Sequence, residues 1–190
     1  ALLDPVFLAG STISKATLHN MDYIEDRDIR IGDMVQIMKA GDVIPAVVSV
    51  DREAREKERK ILPRTTFQMP KQCPECGSAV VREEGEAAYR CENPDCPAKI
   101  YKGLVHFTSK DAMNIEGLGP AVLRVLCDRG LITKISDIYR LKDHRETLVE
   151  IERMGEKSVD NLLNSIENTK KNELYRLIFG LGIRQIGATA

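Results

Sequence analysis

An α+β chain of several small domains is predicted, on three observations. Short turn-punctuated β segments fill residues 1–70, four cysteines in paired spacing lie between 73 and 96, and a pentapeptide recurs within helix-forming sequence over residues 106–190. At 190 residues the chain has room for two or three such units, and no apolar run approaches the roughly 18 residues needed to span a membrane. No secretory signal pattern is visible, so a soluble, cytoplasmic, monomeric protein is expected. Lys and Arg number 28 against 29 Asp and Glu. The balance holds in each segment: 10 against 11 over residues 1–70, 6 against 6 over 71–110, and 12 against 12 over 111–190. A protein that grips nucleic acid through bulk electrostatics is not composed this way, so any such contact must come from local geometry. The chain opens on Ala-Leu-Leu-Asp-Pro and closes on Gly-Ala-Thr-Ala inside a helical pattern, which reads as a piece of a longer protein.

In the first segment, Val6–Ser14 reads as a strand of small and β-branched residues. Gly32-Asp33 and Gly41-Asp42 are turn signals on either side of a second strand, Met34–Met38, and a third follows over Ile44–Val50 with Pro45 near its start, where a missing N–H is tolerated. A helical stretch is expected around Thr17–Glu25. Asp51–Lys60 alternates in charge, as a solvated face or exposed hairpin does. Short strands at this spacing suggest a small Greek-key barrel of the OB type over residues 1–70, with any other small barrel or sandwich as the alternative.

The cysteines are Cys73, Cys76, Cys91 and Cys96, arranged as C-P-E-C, a fourteen-residue spacer, and C-E-N-P-D-C. Two such knuckles joined by a hairpin can close a thiolate tetrahedron around Zn²⁺ with no open position, which makes the metal structural rather than catalytic. Two disulfides are the alternative, and they would require an oxidising compartment. The finger and its linker occupy residues 71–105. Cys127, in an apolar run, reads as a small buried hydrophobe.

Over residues 106–190 the pattern turns helical. Ile115-Glu116-Gly117-Leu118-Gly119, Ile151-Glu152-Arg153-Met154-Gly155 and Ile183-Arg184-Gln185-Ile186-Gly187 share an Ile-x-x-apolar-Gly core, spaced by 36 and 32 residues. Helix-competent sequence flanks each copy, and Pro120 sits where the first helical turn after the first copy would begin. The order is helix, tight hairpin, helix. A glycine at the turn lets another surface approach the backbone, and the unpaired amides of the next helix, at the positive end of its dipole, hold an anion without side-chain charge. Ordinary helix packing with a capping glycine is the bland reading of one copy; three copies in register favour a phosphate cradle. Lys157, Ser158 and Arg184 lie at these hairpins and could add phosphate contacts. Leu162, Leu163 and Ile166 are at core spacing.

Taken together, Gly10–Asn20 (G-S-T-I-S-K-A-T-L-H-N), Arg30–Asp33 (R-I-G-D), Lys39–Pro45 (K-A-G-D-V-I-P), the four-cysteine finger and His106-Phe107 leading to Asn114–Gly119 (N-I-E-G-L-G) resemble the back half of a bacterial NAD⁺-dependent DNA ligase. The resemblance covers essentially the whole chain and implies an OB-fold, a zinc finger and most of a helix-hairpin-helix domain. Such ligases seal 3′-OH/5′-phosphate nicks in duplex DNA by way of an AMP–enzyme made from NAD⁺, with Mg²⁺ as a further cofactor. The attacking lysine of the family sits in K-x-D-G. Neither Lys110-Asp111-Ala112-Met113 nor Lys134-Ile135-Ser136-Asp137 fits that motif, so no catalytic residue is assigned and this segment by itself is expected to be inactive in adenylation. The resemblance further implies Lys39 near a phosphate, Val43 and Ile44 against sugars in the minor groove, the finger as a hinge, and Gly117, Gly119, Gly155 and Gly187 at the phosphate-holding hairpins, without base-sequence preference. A non-enzymatic DNA-binding scaffold built from the same modules is the alternative. A nuclease subunit would show a paired-carboxylate metal site, and the Asp22, Glu25, Asp26, Asp28 run reads instead as a solvated face. A zinc ribbon for RNA would carry more stacking residues than the 5% aromatic content here.

Overall fold

The structure, a computed structural model, describes residues 1–8, 10–40, 44–58 and 65–187. The chain divides into two compact units, Ala1–Glu92 and Asn93–Ala190.

The first unit begins with β1 (Leu2–Leu8) and β2 (Ser11–Lys15), paired antiparallel with Val6 opposite Ile13. The single strand expected over Val6–Ser14 is therefore two strands. Gly10, at φ +78°, turns the chain in a conformation that a β-branched residue would resist. Helix α1 (Met21–Asp26) follows, starting later than the expected Thr17 because Asn20 caps it: its side-chain oxygen accepts from Tyr23 N at 2.9 Å. After the short β3 (Arg30–Ile31) come β4 (Val35–Ala40) and β5 (Ile44–Val50), antiparallel, with Val35 opposite Val50 and a register shift after Gln36. The turn signal Gly41-Asp42 lies outside the described residues. Thr17 bridges to Ala46 in parallel, and β3 pairs with β6 (Thr65–Thr66).

Between β5 and β6 the alternating charges form helix α2 (Arg52–Glu58) rather than a hairpin, with Arg52, Glu53, Glu56 and Lys57 exposed as a solvated face and Arg55 the buried exception. Asp51 caps its start, its side-chain oxygen accepting from Ala54 N at 2.9 Å, and Arg55 turns inward and donates from Nε to Asp33 Oδ1 at 2.9 Å. Its guanidinium also donates to the Asp28 carboxylate and carbonyl, and Arg30 Nε reaches the same carboxylate at 2.9 Å. Arg59 and Lys60, the end of that charge run, lie outside the described residues. Ala16, Met21, Ile24, Ile29 and Val47 form the buried core of this unit. Val47 also accepts the Tyr23 hydroxyl at 2.7 Å, which ties α1 to β5.

In the second unit, α3 (Pro97–Thr108), α4 (Pro120–Asp128), α5 (Ile135–Ile138), a 3₁₀ turn (Leu141–His144), α6 (Arg145–Val149), α7 (Glu156–Thr169) and α8 (Leu174–Gly180) pack around one apolar core. Phe107, Leu118, Leu123, Leu126, Leu148 and Val159 are all buried there. Leu162 and Ile166 join them, while Leu163 is half-buried at the edge. Cys127 is half-buried rather than buried, and that partial burial pushes its thiol above the ordinary range. Among the described residues no helix is long and apolar enough to cross a membrane.

Candidate metal centre and nucleic-acid interface

The four cysteines come from a tight knuckle, a hairpin strand and a helix start. Cys73 N donates to Ser78 O and Gly77 N to Cys73 O, both at 2.8 Å, and Gly77 at φ +71° completes the turn that brings Cys76 back towards Cys73. Strands β7 (Val80–Arg82) and β8 (Tyr89–Cys91) pair with Val80 opposite Cys91, which delivers the third thiol. Asn93 folds the second knuckle, its side-chain oxygen accepting from Asp95 N at 2.9 Å, and Cys96 is the N-cap of α3 ahead of Pro97. Cys73 and Cys96 are buried, Cys76 and Cys91 half-buried.

The four sulfur atoms all lie within 4.8 Å of one another. Thiolates about 2.3 Å from a central Zn²⁺ define a tetrahedron whose edges are about 3.8 Å. The Cys76–Cys91 sulfur separation of 3.5 Å is close to that edge and far from the roughly 2.05 Å of a disulfide. The donor set therefore fits a closed structural zinc site, in which four thiolates would hold the ion and the ion would hold the two knuckles together. Nearby, Arg82 clamps Asp22 with two hydrogen bonds of 2.6 Å each and its guanidinium lies over the Tyr89 ring, so β7 is fastened to α1. That pairing draws the Asp22 carboxyl below its ordinary range. Asp22 and Asp28, read from the sequence as solvated, are both in ion pairs.

The three recurring pentapeptides fold alike. In each, the fourth residue donates its N–H to the carbonyl of the first: Leu118 to Ile115 at 3.3 Å, Met154 to Ile151 at 2.9 Å, and Ile186 to Ile183 at 3.0 Å. The third residue is left-handed in each, Gly117 at φ +84° and Arg153 and Gln185 both at +67°. Only Gly117 signals this conformation in the sequence, so Arg153 and Gln185 escape a reading by residue type. Ile115, Leu118, Ile151 and Met154 anchor the first two turns in the core, whereas Ile183 and Ile186 stay exposed.

Gly119 (φ −74°, ψ 173°) and Gly155 (φ −73°, ψ 167°) are the N-caps of α4 and α7. Any residue can adopt those angles, and a Cβ built on either glycine meets nothing within 4 Å. Neither backbone strain nor internal packing explains the glycines, and their bareness leaves the first-turn amides open to an approaching surface. Gly187 has the same open space, and the helix-competent sequence after it, residues 188–190, lies outside the described residues. Lys157 and Ser158 are exposed in the first turn of α7, and Arg184 is exposed in the third pentapeptide. Glu156 adjoins Lys157, so side-chain charge nearly cancels at this helix start and the amide array dominates.

In the first unit Lys39, on β4, is half-buried and donates from Nζ to Ser11 Oγ at 2.7 Å. It stands opposite Pro45, one pair from Ile44, which is 57% exposed. The hairpin thus brings Lys39 and Ile44 to the same end, while Val43 lies outside the described residues.

Two family models match the chain: the NAD-dependent DNA ligase OB-fold domain over residues 1–59 and the NAD-dependent DNA ligase C4 zinc finger domain over residues 72–98. Among curated relatives, the DNA ligase of Acetivibrio thermocellus is 61% identical over 190 residues, all of this chain and 28% of that protein. The DNA ligase of Bacillus licheniformis is 55% identical over 193 residues and that of Bacillus subtilis 52% over 190, each alignment taking in all of this chain and 27% of the relative. The chain thus spans little more than a quarter of the length of these relatives.

Proposed function

We propose, from the matches to the OB-fold and C4 zinc-finger domain models of the NAD-dependent DNA ligases, that the chain is the DNA-clamping part of such an enzyme. In this reading residues 1–70 are the OB-fold, 71–105 the zinc finger and its linker, and 106–190 a helix-hairpin-helix domain. The whole protein seals 3′-OH/5′-phosphate nicks in duplex DNA using NAD⁺ and Mg²⁺ in a bacterial cytoplasm, and the adenylated lysine comes from outside these 190 residues. Lys39 serves a backbone phosphate, and Val43 and Ile44 face sugars. Gly117, Gly119, Gly155 and Gly187, helped by Lys157, Ser158 and Arg184, present hairpin amides to phosphates on either side of the nick. Contacts of this kind position a protein on DNA without reading bases.

The observation that carries the proposal is the pair of open helix starts at Gly119 and Gly155, N-caps where neither backbone strain nor packing within the chain demands glycine and an added Cβ would meet only open space. Aligned amides at a helix N-terminus hold an anion, which suits a chain whose net charge is only −1. The test is fluorescence anisotropy of the zinc-loaded chain with nicked and intact duplexes of one sequence at several salt concentrations. Tighter binding to the nick, insensitive to base sequence and falling with salt, is expected. Gly119→Val and Gly155→Val should each weaken duplex binding about tenfold, the worth of a lost charge-assisted contact, with the fold retained and the thermal midpoint lowered only by the loss of a glycine N-cap, about 1 kcal/mol. Unchanged affinity at matched salt in both variants would remove the hairpins from the interface.

A further inference from the structure

The segment leading into the first hairpin, Lys110–Glu116, is largely non-helical, and Asn114 within it is left-handed at φ +54°. Three side chains from α7, α8 and the turn between them catch its backbone at regular intervals. Arg176 Nη2 donates to Lys110 O, Asn172 Nδ2 donates to Met113 O at 2.9 Å, and Ser165 Oγ accepts from Glu116 N at 2.8 Å. Positions 110, 113 and 116 are thus met by 176, 172 and 165, one segment running against the other. We propose that Ser165, Asn172 and Arg176 are positioning residues that fix the first hairpin against α7, the helix that begins at the second hairpin, and so set the spacing of the two phosphate-binding turns.

This inference rests on the hairpin reading given above. Its physical basis is that a polar backbone segment is held in one register by side chains rather than by a secondary-structure ladder. The Ser165 bond consumes the Glu116 amide and the turn itself consumes that of Leu118, so neither is among the amides the first hairpin presents. Lys110, Met113, Glu116, Ser165, Asn172 and Arg176 also line a cleft of about 1100 Å³. Water can enter there and replace a lost partner, so removing one bond frees the segment without leaving a buried group unsatisfied.

The test uses Ser165→Ala, with Ser165→Thr as the variant that keeps the hydroxyl, in the zinc-loaded chain. Ser165→Ala should speed hydrogen exchange of the Glu116 amide at least tenfold and lower nicked-duplex affinity about threefold to tenfold, the worth of one net hydrogen bond, with the thermal midpoint unmoved. Ser165→Thr should restore both readouts. Faster exchange with full affinity in Ser165→Ala, alongside weakened binding in Gly119→Val, would overturn the positioning role and leave the hairpin reading standing. Full affinity in Gly119→Val as well would overturn both. Unchanged exchange at Glu116, or no rescue by Ser165→Thr, would show that the staple does not hold the segment and would also overturn the inference.

Discussion

Arg55 keeps only 9% of its side chain exposed and pairs with an Asp33 side chain that is fully enclosed. Arg55→Ala would leave that carboxylate buried without its cation, the situation in which breaking an ion pair is costly. The expected loss is about 3 kcal/mol, read as a lowered unfolding midpoint in calorimetry and faster exchange of the α1 amides. The neighbouring sequence, Arg52 to Glu58, offers no hint of this, because an inward arginine and an outward one look the same in a charged run and only Asp33 and Asp28, over twenty residues upstream, distinguish them. The cysteines were legible for the opposite reason: four identical ligands at fixed spacing leave few geometries, and each is reached by local turns. Cys76→Ser should reduce bound zinc well below one equivalent in a metal-content assay and loosen residues 72–98, since structural zinc binding is folding free energy. Full metal occupancy in that variant would contradict the site.

Gly180 closes α8 against the core, where an added Cβ would sit 3.2 Å from Phe107 Cδ2 and 3.4 Å from Ala112 Cβ. Gly180→Val should therefore destabilise the second unit by about 2 kcal/mol through overpacking, outweighing the better helix propensity of the larger residue, and a thermal midpoint at or above the parent's would refute this. This glycine and those at 119 and 155 look alike in sequence and differ in kind: one is small because the interior is full, the others are bare over open space. Periodicity found β5 to its boundaries, since Ile44–Val50 is bounded by turn residues on one side and a charge run on the other. It merged β1 and β2 because Gly10 in a run of Ala, Ser and Thr looks like one more small strand residue until its positive φ is seen. The recurring pentapeptide was visible as a period, but the staple at 165, 172 and 176 was not, since its partners are backbone atoms and backbone carries no sequence signal.

Across the molecule, carboxylates held by hydrogen bonds set the acid limit of stability. Two bonds from Thr133 and one from the Lys134 amide hold Asp137 below the ordinary 3.8, and Arg30 followed by Arg55 does the same for Asp28. A folded-state value below the unfolded one gives stability that is complete above the ordinary carboxylate range and is lost as the pH falls through it towards the lower folded value. Both units should thus hold a level thermal midpoint near neutrality and lose it below about pH 4, and Asp137→Asn should flatten that decline for the second unit. The charge balance of the sequence anticipated a molecule without a dominant field; it could not say which charges are spent internally, and Asp28, Asp33 and Asp22 all are. The three pentapeptide turns, finally, follow one backbone path while showing a hydrogen, a guanidinium and a carboxamide at the same exposed apex, in Gly117, Arg153 and Gln185. They act as a display scaffold, constant in shape and varied in what is mounted on it, with the first mount restricted, since a Cβ at Gly117 would lie 3.6 Å from Leu162 Cβ.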